Sequence, residues 1–416
     1  MQEKDSKRKG VNRRSFVKGA AAVGAMSGAG AFGLPFHAWA QGVPMEYDGS
    51  KFQLKAAEAV SEQAAIEYSI TEQDLILQSA QAYFAVLRAQ DNLAAVKAEE
   101  AAFKRQLDQA NERFDVGLSD KTDVLQSQAS YDTARANRIV AQRQVDDAFE
   151  ALITLTNRQY NSIQGIVHSL PVLPPLPNDA KAWVETAGRQ NLNLLASNYA
   201  VTAAEETLKQ RKAGHAPTLD AVAQYEKGDN DALGFSNPNA FGTPYRGDVE
   251  QRTIGLRLNI PLYSGGLTSS QVRQSYAQLD QSEQQRESLR RQVVENTRNL
   301  HRAVNTDVEQ VQARRQSIIS NQSAVEATEI GYQVGTRNIV DVLDAQRQLY
   351  TSVRNYNNSR YDYILDNLRL KQAAGTLSPQ DLVDLKRYLK PDYNPDKDFL
   401  PPDLAAAAAK NFERRP

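Results

Sequence analysis

The sequence predicts a mainly α-helical fold, in which long antiparallel coiled-coil helical hairpins form two structural repeats with one β-hairpin between them. Three observations carry this reading. A tip motif occurs twice. Arg113-Phe114-Asp115-Val116-Gly117-Leu118, running on to Asp123-Val124-Leu125, returns as Gly331-Tyr332-Gln333-Val334-Gly335-Thr336, running on to Asp341-Val342-Leu343, at a constant offset of 218 residues. Each copy is flanked by long stretches of strong helix formers without proline. The mean hydropathy of -0.57 suits helices with narrow apolar stripes better than a thick core. An offset this long exceeds any solenoid unit, so one large element is duplicated.

Composition narrows the function. The 416 residues carry a net charge of -1, which gives no bias toward nucleic acid or acidic substrates. Cysteine is absent, so neither disulfides nor thiolate metal sites are expected. The four histidines, His37, His168, His215 and His301, are scattered singly, which argues against a His-based metal or catalytic cluster. The sequence holds no phosphate-binding Gly loop, metal-ligand spacing or nucleophile motif. It is not read as an enzyme, and no cofactor is expected.

Residues 1–40 read as an export leader. Arg13 and Arg14, with Phe16 and Lys18, resemble the twin-arginine type. A weakly apolar Gly/Ala-rich run follows, and Ala38-Trp39-Ala40 offers a cleavage site. A retained membrane anchor is the alternative, and either places the body outside the cytoplasm. Residues 41–157 form the first-repeat hairpin: a helix to about Phe114, a tight turn at Val116-Gly117-Leu118, and a helix from Thr122 to about Leu155. Gly117 suits a helix C-terminus, and Lys121-Thr122-Asp123 offers the next N-cap. The first arm of roughly 60 residues would be ~90 Å long, too long for a compact domain.

Residues 158–216 comprise a Pro-rich linker and one helix from about Ala180 to Lys212, capped by Asp179 and ended by Pro217. Residues 217–264 form the β-hairpin. Thr218–Tyr225 alternates Leu219, Ala221, Ala223 and Tyr225 on one face, and Arg252–Tyr263 sends Ile254, Leu256, Leu258, Ile260 and Leu262 one way. This period of two suits a half-buried strand. It fits a soluble hairpin and, equally, barrel strands with a lipid face and a wet face. Residues 265–376 form the second-repeat hairpin, Leu267 to Val334 and Asn338 to about Ala374, where Val304, Val311, Ile318 and Val325 keep a coiled-coil spacing of seven. Residues 377–416 are a tail, expected to be poorly ordered beyond Pro391.

This order of elements, the tip motif and the junction Leu258-Asn259-Ile260-Pro261-Leu262-Tyr263-Ser264-Gly265-Gly266 resemble the TolC family of outer-membrane efflux and secretion channels. The resemblance runs from Phe52 to about Asp381. It implies a homotrimer in the cell outer membrane. The helical body would form an α-barrel in the periplasm, and the strands would join a β-barrel in outer-membrane lipid, with Ile254, Leu256, Leu258, Ile260 and Leu262 facing that lipid. Implied partners are a periplasmic adaptor (membrane fusion) protein and an inner-membrane pump. They would dock at Phe114, Val116, Gly117 and Leu118 on one tip and at Val334, Gly335 and Thr336 on the other. By motif match, Gln106, Thr122, Asp123, Tyr332 and Arg337 would form the hydrogen-bond and ion-pair network that closes the entrance, with Arg337 and Tyr332 both reaching Asp123. Asp341 and Asp344, three apart on a helix, would supply rings of carboxylates across it.

One departure stands out. Tyr47-Asp48-Gly49 aligns with Tyr263-Ser264-Gly265, so about 83 residues, Ala180 to Leu262, have no first-repeat counterpart. Three protomers would then give six strands, too few to surround the same tunnel. The leader type also departs from the general secretory leader of the family. The expectation is a hybrid or truncated product. The main reading is a passive trimeric conduit serving a tripartite pump or type I secretion system. The alternative is a truncated, non-conducting periplasmic scaffold that binds adaptors.

Overall fold

The computed structural model describes residues 49–229 and 248–404. The leader, including Arg13 and Arg14, the Tyr47-Asp48 alignment, most of the loop between the strands and residues 405–416 lie outside the described residues. The chain divides into a strand unit containing Pro217–Ile260 and a helical unit drawn from Asp48–Ala216 and Pro261–Pro416.

The helical unit is built on α1 (Gly49–Asp115) and α5 (Leu267–Gln333), each 67 residues long, or ~100 Å. Each turns back through a shorter helix, α2 (Lys121–Thr156) or α6 (Ile339–Ala373). The matched lengths make the duplication visible in three dimensions. Helices α1 and α6 pack together, joining the hairpins. The expected seam is real: Val304, Val308, Val311 and Ile318 are buried, and Val325 is half-buried. Alanines on α1 let backbones approach closely, as at Ala95, which is fully buried against Val311, Val353 and Tyr356.

The helix expected from Ala180 to Lys212 is two helices, α3 (Ala180–Gln190) and α4 (Leu192–Ala213), and α4 ends before Pro217. Asp179 caps α3 as anticipated. The break comes at Asn191, whose Oδ1 accepts from the Leu194 amide at 3.0 Å while its Nδ2 donates to the Ala373 carbonyl at 2.9 Å. That tertiary bond has no local signature. Helix α4 packs against both α1 and α5. The N-cap of α2 is Asp120, one residue before the Lys121-Thr122-Asp123 expected to supply it.

The tail is the largest correction. From residue 377 to 404 it forms α7 (Pro379–Lys386), strand β4 (Leu389–Lys390) and α8 (Pro395–Asp398). Strand β4 pairs antiparallel with β1 (Gly165–Ile166). Beyond it the chain becomes a strap across the hairpins. Phe399 and Leu404 bury themselves among Ala94, Ala95, Ile318 and Val353. Asn357 Nδ2 donates to the Phe399 carbonyl at 2.8 Å, Lys97 pairs with Asp396 at 3.1 Å, and Arg315 pairs with Asp403. Composition alone hid this, because apolar anchors alternate with Asp, Pro and Lys.

A buried carboxylate fastens the strap. Asp91 of α1, 2% exposed, accepts hydrogen bonds from Tyr361 of α6 at 2.7 Å and from Tyr393 of the strap. Burial outweighs both donors and pushes its pKa up to about 6. Nearby, burial and the Arg360 charge hold His168 down at about 4, so it stays neutral against Tyr356 and the Asp398 carbonyl.

In the strand unit, β2 (Thr218–Asp229) pairs antiparallel with β3 (Asp248–Asn259), from Thr218 opposite Asn259 to Asp229 opposite Asp248. Both strands run further toward the loop than expected. Strand β3 ends at Asn259, so Ile260 and Leu262 fall beyond it. Leu258, Leu256 and Ile254 lie opposite Leu219, Ala221 and Ala223, which makes one face apolar and exposed. No helix among the described residues is long and apolar enough to cross a membrane.

Two outcomes test the strap. Phe399→Ala should cost about 3–5 kcal/mol, read as a lower unfolding midpoint. Asp91 has a folded pKa above the usual 3.8, so its stabilising contribution is present below that pH and is lost as the pH rises to about 6. Asp91→Asn should abolish that fall, gaining up to roughly 3 kcal/mol at neutral pH in unfolding measured across the range.

Candidate functional site at the hairpin tips

Both tips end in the same backbone device. Gly117 (φ +77) and Gly335 (φ +80) sit in the left-handed region that glycine tolerates. Leu118 N donates to Arg113 O at 2.8 Å, and Thr336 N donates to Gly331 O at 2.8 Å. These are the long-range bonds of a Schellman close, which satisfies the last carbonyls of α1 and α5. The turn leaves apolar side chains in solvent: Val116 is 69% exposed, Leu118 70% and Val334 69%. Phe114, Gly117, Gly335 and Thr336 are exposed as well.

After each turn the repeats diverge. Asp341 forms a capping box with Asn338: its amide donates to Asn338 Oδ1 at 2.9 Å, and its carboxylate accepts from the Asn338 amide. Asp123 occupies the equivalent position in the first repeat, but its carboxylate does not cap α2. It accepts from the Ser119 hydroxyl at 2.8 Å and lies 3.4 Å from the Tyr332 hydroxyl, which donates across from the other hairpin. Tyr332 is buried with Phe103, Ala134, Ile339, Val342 and Leu343. Its repeat partner Phe114 is exposed. Burial, then the Asp123 charge, raises the Tyr332 pKa, so the hydroxyl keeps its proton and remains a donor. The Arg113 guanidinium stacks over the same ring, 4.8 Å from its centroid.

The structure therefore brings Asp123 and Tyr332 together and leaves the other expected members of the network apart. Within one chain, Arg337 lies against Asp341 at 3.9 Å rather than against Asp123, and its side chain is largely exposed. Thr122 is exposed. Gln106 is buried, two to three turns up α1, and lines a cavity between α1, α5 and α6. Asp344 is exposed and pairs with Arg347 at 2.6 Å, whereas Asp341 is half-buried by its capping role. Sequence reasoning missed Arg113 and Ser119. Ser119 had a signal, because it is the repeat counterpart of Arg337 at the same 218-residue offset.

Comparison with known proteins agrees with this architecture. The model of the outer membrane efflux protein family matches residues 47–158 and 183–376. The chain is 41% identical over 337 residues to the outer membrane protein TolC of Vibrio cholerae, covering 81% of this chain and 76% of that protein. It is 28% identical over 324 residues to the proteases secretion protein PrtF of Dickeya chrysanthemi, covering 76% and 68%. Its fold is similar to that of the Campylobacter jejuni CmeC outer membrane channel, with a TM-score of 0.68, 17% identity and coverage of 85% of this chain and 75% of that one. Duplicated hairpins, glycine-closed tips and an exposed apolar strand pair lead to the same place as these likenesses: the chain belongs to the outer membrane efflux protein family, the TolC-type channels.

Proposed function

We propose that this chain is the outer-membrane component of a tripartite efflux pump or type I secretion system, a passive homotrimeric conduit whose helical body lies in the periplasm. The observation that carries the reading is the bond between hairpins at the tip, Tyr332 to Asp123, made where the two repeats diverge. A contact that ties one hairpin to the other at its free end is what a closable entrance requires. The exposed apolar side chains on α1, such as Leu54, Val60, Tyr68 and Leu75, and Ile139 and Val140 on α2, supply surface for neighbouring copies to cover. The exposed apolar face of β2 and β3 suits outer-membrane lipid. Val116, Leu118 and Val334 suit docking of a periplasmic adaptor that links the channel to an inner-membrane pump. The conduit is favoured over a non-conducting scaffold by kinship with channel and secretion proteins.

In this reading Arg337, exposed and only loosely held by Asp341, is available to a carboxylate on an adjoining copy, while Gln106 and Thr122 take secondary places in the closed entrance. Asp344 and Asp341, repeated by threefold symmetry, form rings that favour cations. Purified protein in planar bilayers tests both ideas. Arg337→Ser with Tyr332→Phe removes an ion pair and a hydroxyl-to-carboxylate bond, each worth about 1.5–3 kcal/mol, and should raise single-channel conductance several-fold. Unchanged conductance would count against the lock. Asp341→Asn with Asp344→Asn should lower cation selectivity and relieve block by multivalent cations, and selectivity identical to the unaltered protein would remove the rings from the account.

A further inference from the structure

The cavity that contains Gln106 is not explained by the closed entrance. It has a volume of about 560 Å³, within the ~300–1,000 Å³ range of small-molecule sites. Three helices wall it, and the strap roofs it. Ile318 of α5, Val353 of α6, and Phe399 and Leu404 of the strap give it an apolar end, each at most 7% exposed. Ala98 and Ala102 of α1 line it as well, Ala98 packing against that same apolar cluster, and their small side chains leave the space open. A helix pair packed by larger residues here would have closed it.

The lining also carries polar side chains, with two carboxylates against one guanidinium. Glu326 and Glu329, three apart on α5, lie on one face, and Arg105 is the one cation among the lining residues. Glu329 is half-buried and is held in place by Gln346 Nε2, which donates to it at 3.1 Å. Gln346 is itself 5% exposed, and its Oε1 finds no hydrogen-bond partner among the described residues. A buried acceptor without a donor costs about 1–3 kcal/mol. The site thus offers fixed acceptors, two carboxylates to one guanidinium, and apolar side chains in one lining.

We infer that this cavity is a binding site for a small organic monocation, with the ammonium N–H groups directed to Glu329 and Gln346 and the apolar body under Phe399 and Leu404. Because the ligand would touch α1, α5, α6 and the strap at once, it would fill a gap between the two hairpins rather than pass through the conduit. The site does not depend on the transport reading: it stands on the cavity alone.

The test uses the full chain in lipid nanodiscs and three probes of one shape: 4-phenylbutylamine, 4-phenylbutanol and 4-phenylbutyrate. Calorimetric titration should give saturable binding of the amine at one site per chain, about tenfold weaker binding of the alcohol, and none of the carboxylate. Glu329→Gln, nearly isosteric, should bring the amine down to the level of the alcohol. Ala98→Leu, which fills the chamber, should weaken amine and alcohol alike by about tenfold or more. Three results would overturn the assignment: equal binding of amine and alcohol to the unaltered chain, amine binding indifferent to both substitutions, or no saturable binding of the amine. Amine binding seen only in a chain ended after Leu404 would overturn it too, because residues 405–416 would then be the occupant.

Discussion

A helix of 67 residues is ~100 Å long and has only a narrow apolar stripe to bury, so something must run beside it for its whole length. The return helices are 36 and 35 residues and cover only about half. This mismatch organises the rest of the helical unit. Helix α4 lies against both long arms, α3 lies against α5, and the strap crosses where the hairpins meet. No single thick core forms. Instead there is a string of small clusters along the arms, from Phe84, Leu87 and Tyr361 through Ala95, Ile318 and Phe399 to Phe103, Tyr332 and Val342 near the tips.

Much of this was legible in the sequence because it is periodic or repeated. The heptad of Val304, Val311 and Ile318 and the glycine-centred tips at Gly117 and Gly335 announce themselves through spacing, and the alternation of Ile254, Leu256 and Leu258 does the same for the strand. What stayed hidden depends on partners remote in sequence. Asn191 breaks a helix because its amide reaches Ala373, and nothing near Asn191 encodes that. The strap looked like a loose tail because its two apolar anchors are separated by prolines and charges. Tip chemistry was half visible. A repeated Asp at positions 123 and 341 was plain, but the division of labour between them turns on whether residue 338 can form a capping box, as Asn338 does and Asp120 does not.

That division of labour links local structure to function. A carboxylate spent on its own helix terminus is a fixed structural element, whereas Asp123 is left to bind a tyrosine from another hairpin. The bond is single and long at 3.4 Å, it lies beside a cation–ring stack, and it sits at the free end of two long arms. In the proposed entrance such a contact would hold a closed state without making it permanent, since a hydrogen bond to a charged group contributes only about 1.5–3 kcal/mol. The apolar clusters around Tyr361 and Phe399, farther up the arms, are larger than the one at the tips.

The strap also sets an order of events. Lys97 and Asp396 are 299 residues apart, and Ala94 and Ala95 have no lid until Phe399 and Leu404 arrive. Closing so long a loop is slow and entropically costly. Either hairpin, made before the strap, has an unsealed apolar flank until Phe399 and Leu404 have been produced. Maturation of this molecule therefore waits on the strap, and any polypeptide stopped short of Phe399 would display a sticky midsection to whatever quality control surrounds it.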